Sequence, residues 1–354
     1  MRSISDMKIH LLMGAVMFCI ANASQSVAEV LDGPNGPVEF IGLEEWTASE
    51  LFKAIQETSP DTKFHACAAV MKSELDFADA AAMGFIDSFG DGSWQGYTVV
   101  VGVEDSSGVR YRTAGSETLD LPEAWQEVQA IAEEDFSTLA TVAWLHLLAP
   151  NDEESARSVA EQLGASAEKF DEMWTPVKTL VENADETTDH QLALEVLETD
   201  ASWSARVVAT IVLGHNPDND SSWHGLTNSL IDTATQVRDT ARKLIDGLMQ
   251  SEQSKPVQWS EVRETLLALF SGTYPFALND ILETLVSTGI DPEFGRELAR
   301  EAPDLLLAYA GAEHEKFGKP AQDFLVAISG EDFGRDVEAW AEWLKEPKSN
   351  QVSP

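Results

Sequence analysis

Two short segments of this chain recur at helical spacing: "DASWSAR" (200–206) and "DTATQVR" (232–238). Each places an arginine six residues after an aspartate, and the two copies lie 32 residues apart. After each arginine the pattern stays in step, with Ala209 and Leu213 matching Ala241 and Ile245. A second register runs beside the first: Trp223, Leu226 and Leu230 match Trp259, Val262 and Leu266 at an offset of 36. Self-similarity at such a period marks stacked supersecondary units, each too small to bury its apolar face alone. The units are helical. Leu278, Ile281, Leu282, Leu285 and Val286 fall at steps of 0, 3, 4, 7 and 8, a single helix stripe. Gly289 ends that helix, and Asp291-Pro292 opens the next as N-cap and first-turn proline.

An aspartate in the turn, an apolar-Arg pair opening the second helix, then Ala and Leu at fixed steps resembles HEAT repeats. The resemblance covers about 188–250 closely and 251–346 more loosely. It implies a mainly α fold, a solenoid of antiparallel helix pairs with Asp–Arg ladders between units. Solenoids of this type offer extended surfaces to protein partners. Helices are expected over 122–187 without a clear Asp…Arg spacing. Tetratricopeptide repeats are the neighbouring reading, since Trp223-x-x-Leu226 fits their opening, but Thr227 and Leu230 stand where their Gly and Tyr belong.

The end of the chain holds Asp332-Phe333-Gly334, the tripeptide that binds magnesium in protein kinases. A kinase also needs a Gly-rich loop, a strand lysine and an H-R-D segment upstream, and none is present. The tripeptide reads instead as punctuation. Ala321, Phe324, Leu325 and Ile328 form a stripe, Gly330 stops that helix, and Asp336 caps a last one with Trp340, Trp343 and Leu344 facing inward. This ending resembles the terminal unit of bacterial HEAT-repeat proteins.

Upstream, residues 29–41 are Pro/Gly-rich and read as a leader to the fold. "TASE" (47–50) is a capping box that starts a helix running to about Glu57. Residues 64–87 are Ala-rich and predict helix in two pieces. "YTVVVGVED" (97–105) and "VRYRTAG" (109–115), joined by Ser106-Ser107-Gly108, predict a β-hairpin. Asp120-Leu121-Pro122-Glu123 predicts a second capping box. These readings divide the chain into an N-terminal α+β module at 29–120, a helical domain at 121–346 and a disordered tail at 347–354.

The first 28 residues carry Arg2 and Lys8, an apolar run from Leu11 to Ala21, and small residues ending in Ala23 or Ala28. That is the pattern of a cleaved secretory signal peptide, too short to span a bilayer comfortably. It predicts a periplasmic or secreted protein. Loss of Arg2, Lys8 and Asp6 with the leader moves the net charge from −38 to −39. Such an excess argues against nucleic acid or an anionic membrane as partner, because both need positive patches. No later segment is long and apolar enough to span a membrane. Of the 2 cysteines, Cys67 alone survives cleavage, so the mature chain has no internal disulfide and rests on its core.

Few residues suggest chemistry. Cys67, with His65 two residues earlier and a helix following, resembles the cysteine of papain-like hydrolases, but the following strand opens with Tyr97-Thr98 rather than a histidine. Its alanine neighbours favour a small buried hydrophobe. His215 and His224 bracket Asp218 and Asp220, a set more typical of a solvated turn than of a metal site. The turns at 217–220 and 88–93 lack the oxygen spacing of a calcium loop. No phosphate cradle, zinc signature or nucleophile elbow is found. The sequence therefore assigns no catalytic, cofactor or metal residues. It predicts a non-catalytic scaffold or adaptor for protein partners, with a cysteine hydrolase centred on Cys67 as the alternative.

Overall fold

The thread runs first through a small sheet. The computed structural model describes residues 28–60, 63–88, 94–185, 187–251 and 255–346. The expected signal peptide at 1–28 except for Ala28, the expected tail at 347–354 and residues 89–93 lie outside the described residues. Strands β1 (Glu29–Gly33) and β2 (Gly36–Ile41) pair antiparallel, with Gly33 opposite Gly36. The Pro/Gly run expected as a leader to the fold is thus a hairpin. Gly36 has φ +123°, and a Cβ there would meet the Gly96 carbonyl oxygen at 1.9 Å, so this turn requires glycine. Helix α1 (Ala48–Thr58) begins at the capping box, with Thr47 accepting from the Glu50 N–H and Glu50 accepting from the Thr47 N–H.

The Ala-rich segment departs from expectation. It holds a 3-10 turn at Phe64–Ala66 and helix α2 (Ala68–Glu74), then becomes strand β3 (Asp79–Ser88). Strand β3 pairs antiparallel with β4 (Trp94–Val103), and β2 pairs parallel with β4 on its other side, giving the order β1-β2-β4-β3. The hairpin partner of β4 is therefore β3, not 109–115. Alanine's helix preference is overridden because this strand is covered on both faces. Ala80 and Ala82 pack with Val38, Phe40 and Val100 beneath α1 and α2, while Ala81 joins Val99 and Val101 against the main helical core.

From residue 123 onward the chain is helical: α3 (Glu123–Leu148), α4 (Glu153–Gln162), α5 (Ala167–Asn183), α6 (Thr188–Thr199), α7 (Trp203–Gly214), α8 (Asp220–Ser229) and α9 (Thr235–Gln250). It continues through α10 (Arg263–Phe270), α11 (Leu278–Ser287), α12 (Pro292–Glu301), α13 (Pro303–Ala310), α14 (Glu315–Ser329) and α15 (Val337–Lys345). Helix α3 follows Pro122 with no side-chain cap, so Asp120 does not play the predicted role. Helices α7, α9, α11 and α14 touch in succession, and α6, α8, α10 and α12 do the same on the other side. Helix α3 lies across α5, α7 and α9. The protein is thus mainly helical, with a small four-stranded sheet near its N-terminus.

Local punctuation follows the sequence. Asp291 accepts from the Phe294 N–H at 2.8 Å, and Gly330 stops α14 at φ +75°. Asp336 accepts from the Ala339 N–H at 3.0 Å. In the Asp332-Phe333-Gly334 turn, Asp332 accepts from the Gly334 N–H, and Phe333 meets Trp340 edge-on at 4.7 Å. Trp340 Nε1 donates to the Gly334 carbonyl. The tripeptide is the joint between the last two helices.

Candidate functional site

The repeated Asp–Arg segments form a connected set of buried charges. Arg206, only 1% exposed, donates from Nε and Nη2 to the two oxygens of Asp232, each at 2.9 Å. Its Nη1 donates backwards to the carbonyls of Asp200 and Ala201. Arg238 repeats the backward contact on the carbonyls of Asp232 and Thr233. Neither aspartate is a helix N-cap. Asp200 accepts from the Ser202 N–H and Asp232 from the Ala234 N–H, so each folds a tight turn just before its helix. Burial disfavours the Asp232 carboxylate. The hydrogen bonds and charge of Arg206, helped by Ala234 N–H and Arg112, outweigh it and hold the group below the usual carboxylate range.

Residues 106–121, read from sequence partly as a strand, run instead as a strap across these turns. Arg110 N–H donates to Thr273 Oγ1, Arg112 N–H to the Ile231 carbonyl and Glu117 N–H to the Thr199 carbonyl. Leu119 N–H donates to Asp200, and the Arg112 guanidinium reaches both Asp232 and the Leu197 carbonyl. Tyr111 and Tyr274 flank the Arg238 guanidinium, their ring centroids 4.6 Å and 5.1 Å away. Asp79, 1% exposed, accepts from the Tyr111 hydroxyl and the Tyr274 N–H, tying strap and helices to β3. Glu39, wholly buried, does the same for β2: it accepts from Tyr97 Oη and from the His314 N–H at the start of α14.

Between the sheet and the C-terminal helices lies a cleft of about 790 Å³. Its apolar walls include Leu43, Phe270, Leu305 and Val337; its rim carries Glu44, Glu104, Asp105, Glu301, Asp304 and Glu338. Arg335 is the basic side chain on this wall, and it is paired with Glu313. Glu104 is occupied internally, accepting from the N–H groups of Glu44, Glu45 and Trp46. Partial burial, then the negative charges of Glu104, Asp304 and Asp105, push the Glu44 carboxyl above its ordinary range. The cleft is therefore a region of crowded, incompletely neutralised negative charge. Sequence reading missed it because the residues named here come from five separate stretches with no local motif.

The candidates for chemistry do not converge. Cys67 is fully buried beneath α1, and burial pushes its thiol up to about 12; its sulfur lies 3.9 Å from Met71 Sδ. His215 turns inward, 3.3 Å from His146, whereas His224 meets the Gln258 carbonyl. Asp220 pairs with Lys255 and accepts from the Gln258 N–H. Among the described residues no group of three or more His, Cys, Asp or Glu side chains is placed to hold a metal ion. Nor is any described helix long and apolar enough to cross a membrane. No protein family, curated protein or solved structure matches this chain.

Proposed function

We propose that the protein is an exported, non-catalytic scaffold of HEAT type whose protein partner presents a basic segment to the acidic cleft. The cleft carries this reading. Seven carboxylates line the cleft beside its apolar walls, and among the described residues only two of them are paired with a guanidinium, Glu313 with Arg335 and Glu301 with Arg263. Partial burial and then the repulsion of neighbouring carboxylates raise the Glu44 carboxyl, and a cationic segment would relieve the second of these. Successive contacts among α7, α9, α11 and α14, with the Arg206–Asp232 pair between turns, support a solenoid rigid enough to present that surface. The buried Cys67 thiol, far from its reactive form, favours a non-catalytic role. The leader sequence supports export.

Affinity capture tests this. The mature protein serves as bait for the exported fraction of its source cells, alongside a Glu44→Lys/Asp304→Lys variant. A partner that binds the wild type, is shed by moderate salt and is lost by the variant supports the reading. A partner indifferent to both changes, or hydrolysis that disappears in Cys67→Ala, overturns it.

A further inference from the structure

At the edge of the helical core the buried His146 and the half-buried His215 are joined by a hydrogen bond. His215 Nδ1 lies 2.9 Å from the Ile211 carbonyl, which can only accept, so Nδ1 carries the hydrogen. In the neutral ring Nε2 is then an acceptor, and it lies 3.3 Å from His146 Nδ1. His146 Nδ1 is therefore the donor, which leaves His146 Nε2 without a hydrogen. That last atom is buried with no protein partner within hydrogen-bonding distance. The His146 ring packs on Trp174 of α5 at 5.1 Å between centroids, and Trp174 Nε1 is itself an unpartnered donor.

An added proton has one destination. If His146 becomes the cation, its Nε2 gains a hydrogen. If His215 becomes the cation, its Nε2 donates to His146 Nδ1, and the His146 hydrogen must move to Nε2. Either way a buried N–H appears at His146 Nε2, on a ring packed against Trp174 of α5, with no acceptor among the described residues. The surrounding charges oppose it: Lys178 on α5 adds positive charge near His146. On α9, Asp246 is engaged by Trp144 and Gln250, and Lys243 lies 3.3 Å from Thr141 on α3.

We propose that the His146–His215 pair is an acid-sensitive latch, which holds α5 against α3 at neutral pH and releases it when the pair takes up one more proton. Burial pushes both histidines down to about 4, with Lys178 contributing at His146, against an ordinary 6.5. The closed form thus binds fewer protons than the open form between these values. Its stability is full above pH 6.5 and is lost as pH falls toward 4. This inference is independent of the partner proposed above.

Hydrogen exchange on the full mature chain, corrected for intrinsic rates, provides the test. Protection across residues 139–148 and in α5 should fall on the order of 10- to 100-fold between pH 7 and pH 4.5, while α11 keeps its protection. In His146→Leu the selective fall should disappear. On the wild type, imidazole nitrogen NMR should find His146 protonated at Nδ1 alone at pH 7 and titrating below pH 5. This second measurement needs no variant. Titration of His146 near 6.5, a selective fall that persists in His146→Leu, or simultaneous loss of protection in α5 and α11 would each overturn the latch.

Discussion

Asp232→Ala removes the carboxylate on which three elements converge. Wholly buried, it accepts from Arg206 twice, from Arg112 at 3.2 Å and from the Ala234 N–H at 2.8 Å. Its loss leaves the Arg206 guanidinium in a site 1% exposed, with two main-chain carbonyls on Nη1 and no counter-charge at Nε or Nη2. Breaking one side of such a buried pair costs about 3–5 kcal/mol. Against a total stability of about 5–15 kcal/mol for a typical domain, that is a large fraction. Urea unfolding at pH 7, followed by circular dichroism and tryptophan fluorescence, should show an early midpoint with nearly unchanged helix content before the transition. Arg206→Met should relieve part of the damage, so the double variant costs less than the sum of the single ones. A cost below about 0.5 kcal/mol, the level of an ordinary surface change, would refute the argument. So would simple additivity of the pair. The sign with pH is fixed as well: because Asp232 is held below its ordinary range, its contribution is present above about 3.9 and lost as pH falls through the lower folded value.

Gly115→Ala should dislodge the strap, since a Cβ there would sit 1.9 Å from the Thr199 carbonyl oxygen. Overpacking of this kind costs about 1–3 kcal/mol, and an unchanged urea midpoint would show that the strap bears no strain. Cys67 should label slowly with a thiol reagent in the native protein and quickly in denaturant, because burial holds the thiol near 12; rapid native labelling at neutral pH would contradict this. Thermal stability should rise with sodium chloride, as the screening length shrinks from about 10 Å at 0.1 M to about 3 Å at 1 M around a chain of net charge −38. A flat or falling midpoint would mean the carboxylates are already locally balanced.

What the sequence made legible was local. The box at Thr47–Glu50, the Asp291-Pro292 start, the Gly330 stop and the Asp336 cap depend on a few consecutive residues and stand as expected. The stripe from Leu278 to Leu285 is buried as its spacing requires. What failed was set by distant contacts. Alanines at 80–82 read as helix, and only two-sided coverage makes them strand. The segment 109–115 has the composition of a strand, yet its main-chain groups bond to the turns of the helical part, apart from the sheet. The acidic cleft was not legible, because it joins Glu44, Glu104 and Asp304 across some 260 residues of chain. The histidine loop does not hold together as one turn: His215 is drawn toward the Ile211 carbonyl and His146, a pairing invisible at the level of spacing.

The strap explains why so short a run of Asp–Arg rungs can persist. A ladder of buried charges has two ends, and each end exposes a group whose next partner is absent. At one end Asp200 has no arginine among its partners in the described residues, and the strap's Leu119 N–H fills that place. At the other end Arg238 has no aspartate ahead of it, since Gly272 and Thr273 occupy the following turn. Tyr111 from the strap and Tyr274 from the turn cover its guanidinium instead. Between the ends, Arg112 adds a second cation to Asp232. One extended segment therefore closes both termini and braces the middle, and Asp79 anchors it to the sheet through Tyr111. Burial of an unpaired ion costs several kcal/mol, so each charged group that the strap covers offsets the ordering of a few strap residues at about 1–2 kcal/mol each. The N-terminal residues are thus part of the electrostatic structure of the helical array. Removing them should expose Asp200, Asp232 and Arg238 together, so truncation before residue 120 should leave the helices without a stable ladder.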